Sequence, residues 1–63
     1  MAFHTTFTHQ GRLYSGVVIK GEKEANDFLF RYDGWGVLKT NDHGSPEENV
    51  VYLAPLEDMG EGS

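Results

Sequence analysis

Phe28-Leu29-Phe30-Arg31-Tyr32-Asp33-Gly34-Trp35-Gly36-Val37-Leu38-Lys39 is the stretch on which the fold turns. Two aromatic and aliphatic runs flank an Asp-Gly pair, the preferred loop of a type I′ hairpin, whose two central residues both take positive φ. The spacing predicts strands over 28–32 and 35–39. Tyr32 then lies across from Trp35, Phe30 from Val37 and Phe28 from Lys39 on one side, with Leu29 paired to Leu38 and Arg31 to Gly36 on the other. Both sides carry apolar groups, so the hairpin is expected to curve strongly.

The segments on either side read the same way. Residues 2–9, Ala-Phe-His-Thr-Thr-Phe-Thr-His, are rich in Thr and Phe and place Phe3, Thr5 and Phe7 on one face of a strand. His9-Gln10-Gly11-Arg12 supplies a tight turn, and Leu13 to Lys20 forms a second strand around the stiff β-branched run Val17-Val18-Ile19. Gly16 within it predicts a bulge or a sharp bend. Residues 21–27 read as a polar loop with room for one helical turn at most. Asn41 to Asn49 is the longest turn-forming stretch, Val50 to Ala54 is a last short strand, and Pro55 ends it for want of an amide hydrogen. Pro55 to Met59 fits a single 3₁₀ turn. The chain is therefore expected to be one domain over residues 1–59, with a disordered tail over 60–63.

Sixty-three residues cannot support two cores, and with no cysteine there is neither a disulfide nor a thiol nucleophile. Apolar residues make up only 38%, yet eight of them are Phe, Tyr or Trp, enough rings to fill a small barrel, and Phe3, Phe7, Phe28 and Phe30 are expected in its core. The N-terminal Met1-Ala2-Phe3-His4-Thr5-Thr6 has neither the basic nor the apolar region of a signal peptide, and no apolar run is long enough for a bilayer. A cytoplasmic protein is expected.

The net charge of −5 hides a gradient. Residues 1–21 contain no acid and carry Arg12 and Lys20; residues 22–41 nearly balance; from Asp42 onward there are six acids and no Lys or Arg. An acidic surface made of Asp42, Glu47, Glu48, Glu57 and Asp58 repels phosphate backbones, which argues against nucleic acid as a direct ligand. The same carboxylates can meet a basic groove on another protein, where complementarity raises association rate and specificity.

Catalytic signals are weak throughout. His4, His9 and His43 have none of the spacings that bind zinc, the serines sit in no nucleophile elbow, and Gly34-Trp35-Gly36 precedes a strand rather than the helix a phosphate loop needs. An Asp42-His43 pair in a loop has no nucleophile beside it in sequence. No catalytic residue, metal or cofactor is expected. Tyr32 and Trp35, beside the hairpin tip, are candidate contact residues, since exposed Trp and Tyr are common binding hot spots. Tyr14, Tyr32, Trp35 and Tyr52 are together candidates for an aromatic cage.

Five short strands, tight turns and a glycine bend make the sequence resemble an SH3-like or Sm-like small β-barrel, an all-β fold. The resemblance implies a strongly curved antiparallel sheet and carries no diagnostic motif. Val50-Val51-Tyr52-Leu53-Ala54-Pro55-Leu56-Glu57 also looks like the terminal strand of plasmid-borne dihydrofolate reductases, but Val51 stands where their active-site strand has its Gln. In size, acidity and lack of cofactor motifs the chain is similar to small phage-encoded inhibitors of bacterial defence such as anti-CRISPR proteins. That similarity implies a non-enzymatic inhibitor, working in the cytoplasm of a bacterial host against a nuclease or CRISPR effector. The alternatives are a Tudor- or SH3-type reader of a peptide or methylated side chain, and a homo-oligomeric barrel with an active site on its symmetry axis.

Overall fold

A computed structural model describes residues 2–42 and 44–60. The first hairpin is as read: strands β1 (Ala2–His9) and β2 (Arg12–Lys20) pair antiparallel over eight consecutive residue pairs, from Ala2 with Ile19 to His9 with Arg12. Gln10 and Gly11 close it with φ of 53° and 79°, the two positive values of a type I′ turn. The ladder passes Gly16 without a bulge; the glycine is there because its Cβ would run into the Leu53 carbonyl oxygen and the Phe7 ring.

The expected second hairpin does not form. Glu22–Arg31 is a helix, α1, and only Trp35–Asn41 is a strand, β3. After the 3₁₀ turn Pro46–Glu48 comes β4 (Val50–Pro55), and Leu56–Gly60 forms a short helix, α2, where a single 3₁₀ turn was expected. The sheet order is β1-β2-β4-β3, every neighbouring pair antiparallel. β2 and β3 therefore run parallel with β4 between them. Parallel strands cannot be joined by a two-residue turn, and the segment between them must cross the sheet, commonly as a helix.

The helix has its own local support. Glu22 and Glu24 lie in its first turn and Arg31 in its last, each favourably placed against the helix dipole. Ala25, Phe28 and Leu29 share one side and pack on Val17, Ile19, Val51 and Leu53, the centre of the core. The Tyr32 amide donates to the Phe28 carbonyl at 2.9 Å to finish the helix, and Gly34, at φ 90°, turns the chain into β3. Asp33-Gly34 is thus a helix-exit turn.

The protein is mostly β, with four strands among the described residues and an open sheet whose edges are β1 and β3. The fifth strand is missing because residues 28–31 are helical. The bulge expected at Gly16 occurs instead on β3, between Val37 and Lys39. His43, the Asp42-His43 pair and the tail beyond Gly60 lie outside the described residues.

Candidate functional site

The strands carry bases and no acids, while α1 carries both. None of the four strands contains Asp or Glu, whereas Arg12, Lys20 and Lys39 all project from the face opposite α1. That face carries a ring cluster: Phe7 stacks on Tyr14 at 6.2 Å between centroids and meets Tyr52 edge-on at 5.1 Å. Arg12 lies over Tyr14 and Lys39 over Tyr52, at 5.4 and 4.7 Å from the ring centres. The Asn41 side-chain amide donates to the Tyr52 hydroxyl at 3.4 Å. α2 caps the far end of this face, where Leu56 and Met59 close over Gly36.

The acids occupy the helices and loops. Glu47 and Glu48, in the 3₁₀ turn, come up against the start of α1. Asn49 makes the join: its carbonyl accepts from the Gly21 amide at 2.6 Å, and its side-chain amide donates to a Glu22 carboxylate oxygen at 3.2 Å. A shallow groove beside this join is lined by Lys20, Gly21, Lys23, Glu24, Pro46 and Glu47. Asp42 follows β3 at the same end of the sheet, the end marked by the row Lys20, Val50 and Asn41. Glu57 and Asp58 are elsewhere, on α2 beyond the Trp35–Pro55 pair at the opposite end. The acidic C-terminal third is therefore not one surface. Glu47 and Glu48 meet Glu22 and Glu24 at the start of α1, and Glu57 and Asp58 stand apart.

The aromatic residues divide as well. Trp35 is half-buried against the core, edge-on to Phe28 at 5.5 Å, while Tyr32 leans on the other side of Phe28 at 4.7 Å and stays 52% exposed. Tyr14 and Tyr52 lie on the opposite face of the sheet with Phe7. Sheet and core stand between the two pairs, so the four rings do not make one cage.

Phe30, expected in the core with the other phenylalanines, is instead the most exposed large apolar side chain described, at 90%, and Phe3 is 57% exposed; the buried centre is aliphatic, Val17, Ile19, Val51 and Leu53. Phe30 belongs to the outward stripe of α1 formed by Lys23, Asn26, Asp27 and Phe30, positions i, i+3, i+4 and i+7. The signal was present in Ala25, Phe28, Leu29 and Tyr32, whose three- and four-residue spacing points Phe30 away from the core once the segment is helical. Read as a strand, Phe30 had faced Val37.

The chain matches no family model, no curated protein and no solved structure. Among the described residues no group of three or more His, Asp or Glu could hold a metal ion, and no helix is long and apolar enough to cross a membrane.

Proposed function

We propose that this chain is a non-enzymatic module that binds a protein partner through α1 and the adjoining 3₁₀ turn. Phe30 is the apolar anchor near the end of the helix, with Asp27 one turn before it, and Glu22, Glu24, Glu47 and Glu48 at the start of the helix supply a separate acidic contact. The observation that carries the reading is Phe30 itself, a phenylalanine held almost wholly in solvent by a helix whose one other ring, Phe28, packs against the core. An exposed large ring bordered by charge is the composition of a hot spot with a polar rim. The acids select a cationic partner, and the basic groove of a nuclease or another nucleic-acid-binding effector is the surface that most needs such a match. Occupying that groove would block it, which is how a small acidic inhibitor of bacterial defence would act.

Immobilised protein exposed to bacterial lysate and eluted along a salt gradient tests this, with Phe30→Ala and Glu47→Lys/Glu48→Lys run beside the wild type. A nucleic-acid-binding protein should elute from the wild type at moderate salt, be displaced by added DNA or RNA, and drop at least about tenfold on either variant, the loss of a hot spot worth ~1.4 kcal/mol or more. Equal capture by all three proteins, or capture of nothing but the chain itself, overturns the proposal.

A further inference from the structure

The two edges of the sheet are built differently. β3 is interrupted by the bulge between Val37 and Lys39, carries Gly36 and a lysine, and runs into Asp42. These are devices by which proteins keep a sheet edge from pairing with another chain. β1 has none of them. Its eight residues contain no Lys, Arg, Asp, Glu or Pro, its pairing with β2 is unbroken, and residues 2–6 are exposed throughout. Every second residue of such a strand turns its N–H and C=O away from the neighbour it already has, and among the described residues no strand lies on that side of β1.

We infer that β1 is a dimerisation edge, and that its occupant is the β1 of a second copy of this chain, added antiparallel to make a continuous eight-stranded sheet. Self-pairing about a two-fold axis must keep side chains on their own faces, so only residues of like parity can meet. With the axis at Thr5, Phe3 lies opposite the second copy's Phe7, His4 opposite Thr6, Ala2 opposite Thr8, and Thr5 opposite itself. Phe3, 57% exposed in the single chain, thereby gains a directly opposed aromatic neighbour on each side of the axis. Moving the axis one residue along, to Thr6, sets Phe3 against His9 and Phe7 against Thr5 and forfeits both aromatic pairs.

Charge favours this edge over any other contact between copies. Each chain carries −5, yet no strand bears an acid, and residues 1–21 have none at all. Two copies joined at β1 keep their acidic helices apart, on one face of the sheet. The α1 helices, each lying over β2 and β4, are then about four strand spacings, or ~19 Å, from each other. Strand pairing alone buries less than a standard interface, so the dimer is a concentration-dependent one.

Sedimentation equilibrium from about 10 µM to about 1 mM, a range suited to small transient interfaces, reads the inference directly. The wild type is expected to move from monomer to dimer across the range. Thr5→Lys should raise the dissociation constant at least tenfold, because it sets two lysines against each other on the axis. Thr40→Lys, the same charge change at an exposed position on the β3 edge, should leave it unchanged. Both substitutions lower the net negative charge, so general repulsion between chains predicts the opposite result for Thr5→Lys. Amide exchange of the wild type alone supplies a readout free of any folding defect: protection of alternate β1 amides should rise with protein concentration. A monomer at every concentration, a dimer indifferent to Thr5→Lys, or β1 amides whose exchange ignores concentration each overturns it.

Discussion

Gly16→Ala is expected to be the most damaging single-methyl change in the sheet, and the reason lies in what surrounds it. The added Cβ points at the Leu53 carbonyl oxygen and comes within 3.1 and 3.2 Å of the Phe7 ring carbons Cζ and Cε2. The oxygen is backbone and belongs to the residue paired with Val17, so relief requires moving β4 away from β2 at the centre of the core. Overpacking of a tight site costs ~1–3 kcal/mol, occasionally more, and displacement of a ladder strand belongs at the upper end of that range. The alanine also restricts the unfolded chain, returning ~0.4–1 kcal/mol. The net loss is about 2 kcal/mol or more, against a total of roughly 3–9 kcal/mol for a domain of this length. At ~4–8 °C per kcal/mol the midpoint should fall by about 8–16 °C. Thermal and urea unfolding followed by circular dichroism measures it. Gly36→Ala is the internal comparison, since its Cβ meets only the ends of two side chains, Leu56 Cδ2 at 2.7 Å and Met59 Sδ at 3.1 Å. Those can swing aside for ~1 kcal/mol or less, within the range of off-rotamer strain. A Gly16→Ala protein melting within about 4 °C of wild type, or above Gly36→Ala, would refute the close-approach argument, given the same ~4–8 °C per kcal/mol.

Two further expectations concern the rings and cations. Phe28→Ala, in the partly buried cluster with Tyr32 and Trp35, should cost about 2–3 kcal/mol of unfolding free energy, somewhat below the cost for a fully buried ring. Phe30→Ala, two residues on, should stay within ~0.5 kcal/mol of wild type; equal losses would show that the helix is oriented differently. Across the sheet, a double-mutant cycle of Lys39→Met and Tyr52→Leu should return a coupling of about 0.5 kcal/mol from the ammonium over the ring, and a coupling of zero would leave Lys39 a solvated lysine.

The features legible in the sequence are those whose cause is local. The Gln10-Gly11 turn and the two strands it joins follow from residues within a few positions of one another, and the structure has them, with β2 starting one residue earlier than expected, at Arg12. The β4 strand is of the same kind, although Pro55, expected to end it, is its last residue and pairs with Trp35. Residues 28–32 are not, because Phe-Leu-Phe-Arg-Tyr suits a strand as well as the end of a helix, and Asp-Gly serves a hairpin loop as readily as a helix exit. What decides between them is the burial of Ala25, Phe28 and Leu29 on Val17, Ile19, Val51 and Leu53, contacts that no local window contains. The candidate surface shifted with that segment: Glu47 and Glu48 kept their place in it, Trp35 moved into the core's margin, and Phe30 took over as the exposed ring.

The strand order has a consequence for how the molecule is made. β4 is the last strand among the described residues but sits inside the sheet, between β2 and β3, and its Val51 and Leu53 complete a core that Val17 and Ile19 only begin. While the polypeptide is being synthesised, the hairpin of β1 and β2 can form early, but nothing covers its apolar residues until residues 50–55 have left the ribosome. The helix cannot settle sooner, because half of the surface it packs on does not yet exist. The nascent chain therefore carries an unfinished sheet, with an edge at β2 as well as at β1, and folding waits on β4.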